Sequence, residues 1–263
     1  MGKAMALDKK NKENPLFVNS IAKCMAVLRA FGGTSWQLGL QELSERSGLD
    51  KSTVQRMVHT LVQLGYLERS AATRRYTLGT AVLDFSFQFI RSHPLVELAT
   101  PHLIELRKRC DERVDLSLFD GPTIVYVMRQ PSRLAPFYTT VVGRRMPIFC
   151  TAGGRAILAR LPRDEARRII ADSPREPRTP RTITDVDAIM DLIDRARADG
   201  YSMAVEEAVP GDITLAGALV NEEGHPLGAV HIAARVSDWT PAAFLDRMRP
   251  LLLETMEALN PPR

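Results

Sequence analysis

The sequence is poor in the residues that staple or metallate a fold. Its three cysteines, Cys24, Cys110 and Cys150, lie far apart in 263 residues with no Cys-x-x-Cys spacing. That pattern excludes a disulfide framework and a zinc finger, and it fits a reducing cytoplasm. The five histidines are scattered. There is no Gly-x-Ser-x-Gly elbow, no His-Glu-x-x-His pair, no Gly-x-x-x-x-Gly-Lys phosphate loop and no dinucleotide fingerprint. The motifs that place a nucleophile, a zinc ion or a nucleotide are therefore missing, and neither a cofactor nor a metal nor an enzymatic activity is expected. Glu206 and Glu207 form a carboxylate pair, but neighbours on a strand point to opposite faces and are badly placed for concerted acid–base work. No apolar run approaches the length of a membrane span. Met1 to Asn14 is polar and Lys-rich without the apolar stretch of a signal peptide.

What is present is an ordinary globular composition, 45% hydrophobic and 25% charged, with a formal net charge of +4. The charge is unevenly placed. Residues 1–92 carry 13 Lys/Arg against 7 Asp/Glu, whereas residues 93–263 carry 22 against 24. A basic first third suits contact with phosphates, and a balanced remainder implies a different task.

The basic third contains the most demanding pattern in the chain. Leu40 and Leu43 give a short helix one apolar face, and Gly48 supplies a turn. Asp50 is placed to cap a second helix, in which Val54, Met57, Val58, Leu61 and Leu64 recur at helical spacing. The opposite stripe, Lys51, Ser52, Gln55, Arg56, His59 and Gln63, contains no acid. Such a face can approach phosphates and offer forked donors to base edges in the major groove. Gly65 ends the helix, and two short strands follow around Ser70 to Thr73, with Arg69, Arg74 and Arg75 on the hairpin. This is a helix-turn-helix with a basic wing. The residues expected to touch duplex DNA are Lys51, Ser52, Thr53, Gln55 and Arg56 on the helix, and Arg74 and Arg75 on the wing.

The chain divides into a disordered tail over 1–15, a DNA-binding domain over 16–79, a linker helix over 80–93 and a second domain over 94–260. The linker carries Phe85, Phe87 and Phe89, more than one packing face needs, so a dimer contact is one reading and packing within the chain another. In the second domain, strands are expected at 114–119, 123–128, 137–142, 202–206, 213–220 and 227–234, with helices before, between and after them. That order predicts an α+β domain around an antiparallel sheet.

Together these features resemble the IclR-type bacterial transcription regulators from about Val18 to Leu259. The similarity is carried by Ser20-Ile-Ala-Lys23, by the run from Leu43 to Leu67, by Tyr76-Thr77-Leu78-Gly79, by Gly143 to Ala159 and by Gly200-Tyr201-Ser202. The resemblance implies a winged helix-turn-helix, a linker helix and a GAF-like effector-binding domain. It also implies dimers that often pair into tetramers, and control of a catabolic operon by a small organic acid.

Thr151-Ala152-Gly153-Gly154 precedes an apolar helix, so its free N–H groups and the Thr151 hydroxyl are expected to hold an effector carboxylate. The other reading of these glycines is simple packing. The resemblance places further pocket groups on the last strands, where this chain carries Ala204, Thr214 and His231-Ile232-Ala233. Small alanines and a histidine point to an aromatic or otherwise larger acid, with Thr214 and His231 as contacts; a core histidine is the alternative for His231. Competing functions are a DNA-binding protein without a ligand and an enzyme with an accessory DNA-binding domain. The expected partners are operator DNA, the acid and a second copy of the chain.

Overall fold

The computed structural model describes residues 14–32, 35–132 and 142–260. They form two compact units, Met1–Phe89 and Ile90–Arg263. The expected tail over 1–15 and the expected strand over 137–142 fall largely outside the described residues; Val142 itself lies in a turn. Among the described residues no helix is long and apolar enough to cross a membrane.

In the first unit, α1 (Asn19–Arg29), α2 (Leu40–Ser47) and α3 (Lys51–Gln63) pack around Val27, Leu38, Leu43, Val54, Val58 and Leu61. α2 stops at Gly48, whose φ of 70° is the left-handed turn that a glycine adopts at least cost. Leu64, expected to point inward, is exposed, because α3 ends one residue before it. β1 (Leu67–Arg69) and β2 (Tyr76–Leu78) pair antiparallel as the hairpin.

α4 (Ala81–Ser92) follows, and the boundary between the two units falls inside it. The expected separate linker over 80–93 is thus a single helix whose first turns belong to the first unit. Those turns are fixed to the end of α3. Gly79 donates its N–H to the Tyr66 carbonyl at 2.8 Å, and the Tyr66 and Phe85 rings stack at 5.8 Å, nearly parallel. Leu83, Phe85, Phe87 and Phe89 are all more than half exposed, so their apolar surface is not absorbed within the first unit.

The second unit is built on a sheet of order β5-β4-β3-β8-β7-β6, every pairing antiparallel. Its strands are β3 (Arg113–Asp120), β4 (Thr123–Gln130), β5 (Arg145–Pro147), β6 (Ser202–Val205), β7 (Asp212–Val220) and β8 (Pro226–Arg235). Alternation divides the side chains between two faces. Val114, Leu116, Ile213, Leu215, Val230 and Ile232 pack against α5 (Pro94–Cys110) and α9 (Pro241–Leu259). The other face meets α6 (Ala152–Leu158), with α7 (Arg163–Asp172) and α8 (Val186–Asp199) outside it. That face carries Asp115, Ser117, Thr214, Ala216, Ala229, His231 and Ala233, a polar and small-residue surface inside a layered domain.

A test of the junction between α3 and α4 is Gly79→Ala, whose added methyl group would overlap the Gly65 carbonyl. It is expected to cost about 1–3 kcal/mol in urea unfolding. Gly32→Ala, whose methyl would meet the Arg29 carbonyl at an ordinary 3.5 Å, is expected to leave the midpoint nearly unchanged.

Candidate nucleic-acid interface and ligand cleft

α3 starts at Asp50, which accepts the Thr53 N–H at 2.9 Å and the Ser52 hydroxyl at 2.6 Å. The hydrogen bonds from Ser52 and Thr53 hold the Asp50 carboxyl well below the usual carboxylate range. Ser52, expected as a DNA contact, therefore spends its proton on the cap and keeps only lone pairs for another partner. Lys51, Gln55, Arg56, His59 and Gln63 are exposed along one side of the helix, and Thr53 is half-buried.

Between this side and the hairpin runs an open groove lined by Gln55, Arg56, His59, Gln63, Arg69 and Tyr76, and among the described residues no carboxylate lines it. The hairpin register sets Arg69 opposite Tyr76, and its guanidinium lies over the Tyr76 ring at 5.8 Å. Arg74 is exposed, at a φ of 56°. Arg75 departs from expectation. Its guanidinium donates to Glu42 at 2.6 and 2.8 Å and to the Gln37 carbonyl at 2.9 Å, fastening the hairpin to the start of α2. Glu42 also accepts the Gly39 N–H, and that bond, followed by Arg75, lowers its pKa.

The second unit has a cleft of about 660 Å³, its open mouth included, over the polar face of the sheet. Of the residues expected to bind an effector, Thr151, Ala152, Thr214 and His231 line it, but Gly153 and Gly154 do not. The Thr151 hydroxyl is committed to the chain. It donates to the Pro147 carbonyl at 3.1 Å and accepts the Gly154 N–H at 3.2 Å as the cap of α6. The two glycines serve packing: a methyl at 154 would overlap the Ile148 carbonyl, and one at 153 would overlap the His231 imidazole. In the expected cradle over 151–154, Thr151 and Ala152 stand at the cleft, while the two glycines pack against neighbouring protein atoms.

The cleft's charges come from residues the sequence reading did not single out. Arg113, Arg129 and Arg144 line it, together with Tyr126, Glu206, Glu207 and Asp212. Asp115, almost fully buried, accepts from Arg129 at 2.7 and 2.9 Å and from Arg113 at 3.2 Å. Arg113 also reaches Asp212 at 2.8 Å. Arg144 is exposed, and no carboxylate lies within ion-pair distance of it among the described residues. Burial raises the Tyr126 pKa, so the phenol stays protonated. Burial also lowers the His231 pKa to about 4, so the imidazole is neutral near pH 7. Ala216 lies opposite His231 across the β7–β8 pairing, and Ala152, Ala204 and Ala216 form a buried cluster of small side chains. Among the described residues no cluster of His, Cys, Asp or Glu can hold a metal ion.

Two family models match the chain. The IclR helix-turn-helix domain covers residues 20–71, and the model described as bacterial transcriptional regulator IclR C-terminal covers residues 87–260. The Pca regulon regulatory protein of Pseudomonas putida is 28% identical over 242 residues, which is 91% of this chain and 82% of that one. The p-hydroxybenzoate hydroxylase transcriptional activator of Acinetobacter baylyi is 27% identical over 249 residues, 93% of this chain and 91% of its own length. The crystal structure of an IclR family transcriptional regulator from Brucella abortus aligns with a TM-score of 0.78 at 27% identity, over 94% of this chain and 93% of that chain. These relatives are regulators by name.

Gly153→Ala is expected to destabilise the protein by about 1–3 kcal/mol through overpacking. In a His231→Ala background most of that cost is expected to vanish, because the atoms it collides with are gone. Urea unfolding of the four proteins measures the coupling, and an equal cost in both backgrounds would contradict the packing described.

Proposed function

The chain belongs to the IclR family of bacterial transcriptional regulators, and from that premise we propose that it is a ligand-responsive regulator of a catabolic operon, controlled by a small aromatic acid. One observation carries the ligand half of this reading: a cleft in the second unit contains a cation, Arg144, that no described carboxylate neutralises. A bound carboxylate supplies the missing partner, and Arg113 and Arg129 add positive potential although each is already paired. The neutral Tyr126 and His231 and the floor of alanines favour a flat ligand over a short keto acid. The relative named for p-hydroxybenzoate hydroxylase supports the aromatic class.

For DNA, the exposed side of α3 enters the major groove, with Gln55 and Arg56 at base edges and Lys51 and Thr53 nearer the backbone. Ser52 acts chiefly as a cap. On the wing, Arg69 and Arg74 face phosphates, while Arg75 holds the hairpin in place through Glu42. Leu83 and Phe87 on one side of α4 and Phe85 and Phe89 on another are exposed, which supports a second copy of the chain as partner and would set two α3 helices on a partly palindromic operator. The protein acts in the cytoplasm, where its operator is.

The test is fluorescence anisotropy on the duplex upstream of the protein's own gene, titrated with salt. Arg69→Ala is expected to weaken binding to all sequences alike and to reduce the slope of log K against log salt by about 1. Arg56→Ala is expected to cost about 1–3 kcal/mol and relax sequence preference. Arg75→Ala is expected to lower the unfolding midpoint and leave the slope unchanged. A wild-type protein that shows no preference for this duplex over unrelated DNA would overturn the reading.

A further inference from the structure

The charges at the cleft come as matched pairs, with one cation left over. Four carboxylates line or underlie it, and each has a guanidinium. Arg129 grips Asp115 with two bonds, at 2.7 and 2.9 Å. Arg113 reaches from Asp115, at 3.2 Å, to Asp212, at 2.8 Å, and so ties β3 to β7 across β8. Glu207 is paired with the fully buried Arg155, and Glu206 with Arg181 at 3.1 Å. Arg144 is the cation that remains: among the described residues no carboxylate lies within ion-pair distance of it. Tyr126 and His231, the other titratable groups of the described lining, are both neutral near pH 7, because burial raises the pKa of the phenol and lowers that of the imidazole to about 4.

Position separates the leftover cation from the acids. Arg144 is exposed, just before the edge strand β5, and its carbonyl accepts the N–H of Tyr126 on β4 at 3.0 Å. Glu206, Glu207 and Asp212 stand between the end of β6 and the start of β7, on the other side of the sheet. A ring acid whose carboxylate meets Arg144 extends from that side towards groups already neutral as pairs. A hydroxyl at its far end can donate to a carboxylate oxygen there. A second carboxylate has no such use. It meets like charges, and the cations near it are already engaged. Asp115, Arg155 and Glu207 are all buried, so water does little to relieve an unmatched charge beside them.

We propose that the cleft selects its ligand by net charge: it takes aromatic acids that carry one negative charge and rejects those that carry two, with Asp212 and Glu206 setting the limit. The inference rests on the acid-responsive reading given above and deepens it. Asp212 and Glu206 are specificity-determining residues that act by repulsion, against the wrong ligand rather than for the right one. Neutralising either of them leaves its guanidinium unmatched, and the cleft then has a second positive charge to offer a dianion.

The test is calorimetry of the full-length protein at pH 7 with 4-hydroxybenzoate as the reference monoanion, and with 4-nitrobenzoate and terephthalate. The para groups of the last two share a planar shape and differ by one charge. The wild-type protein is expected to bind terephthalate at least about tenfold more weakly than 4-nitrobenzoate. Asp212→Asn keeps an oxygen acceptor for Arg113 and removes the charge, and it is expected to shrink that ratio at least about fivefold. Glu206→Gln keeps an acceptor for the Gly211 N–H and is expected to shift the ratio in the same direction. The ratio is the readout because damage to the cleft weakens both ligands together, and thermal unfolding shows that each variant is folded. Terephthalate bound as tightly as 4-nitrobenzoate by the wild-type protein, or an unchanged ratio in either folded variant, overturns the inference and leaves the acid-responsive reading standing. If neither 4-hydroxybenzoate nor 4-nitrobenzoate binds the wild-type protein, the aromatic-acid reading fails and the inference falls with it.

Discussion

A guanidinium with no exposed surface has to be fully partnered, and Arg155 is one. It rises from α6, donates to the Phe149 carbonyl at 3.1 Å and makes a two-pronged bond with Glu207, one prong at 2.7 Å. That pair joins the helix under the cleft to the segment between β6 and β7. The same segment is held from its other side. Thr179 and Thr182 donate to the carbonyls of Glu206 and Glu207 at 2.6 Å, and Arg178 donates to that of Ala208 at 3.2 Å. Glu206, Glu207, Ala208 and Val209 form one wall of the cleft. Breaking a buried pair of this kind by removing one partner costs about 3–5 kcal/mol, whereas its net contribution over a well-packed apolar pair is small. Its value is therefore positional: it sets where the wall stands relative to His231 and Thr151.

Around that fixed frame the cleft combines satisfied and unsatisfied groups. Asp115 neutralises much of Arg113 and Arg129 before any ligand arrives, so the cost of burying those cations is met by the fold itself. Arg144 has no carboxylate within ion-pair distance among the described residues. In the first unit the division is similar. Arg75 and Glu42 brace the hairpin, while Arg56 and Arg69 flank a groove without carboxylates. In both places cations that organise the protein are distinct from cations free to meet an anion.

The DNA-binding unit was legible because its signals are local. The Asp50 cap, the Gly48 turn and the apolar repeat of α3 each lie within a few residues and each has a single physical meaning. The bracing of the hairpin by Arg75 was not legible because its partner lies 33 residues away and only the folded hairpin brings them together. In the second unit, alternation along Val114 to Phe119 gave the strand, but its polar set, Asp115 and Ser117, reads from sequence as a solvent-facing side. The sheet is covered on both faces, so those residues turn inward and become part of the site or its support. Gly153 and Gly154 looked like a ligand cradle for a related reason. A glycine reports that something comes close, and here the neighbours are an imidazole and a backbone carbonyl. The short strand β5 ends in a proline and carried no alternating pattern to announce it.

The relation between cleft and DNA surface is a matter of linkage. α4 is one continuous helix, anchored at its start by the Tyr66–Phe85 stack to the end of α3, with Ile90 near its other end packed on the core of the second unit. If an acid in the cleft changes operator affinity by some factor, then operator must change acid affinity by the same factor. The most direct measurement is a pair of titrations on one preparation: operator affinity with and without saturating 4-hydroxybenzoate, and 4-hydroxybenzoate affinity with and without saturating operator. The account predicts a change of about fivefold or more, equal in the two titrations. An operator affinity indifferent to the acid, with the acid demonstrably bound in the cleft, would contradict it.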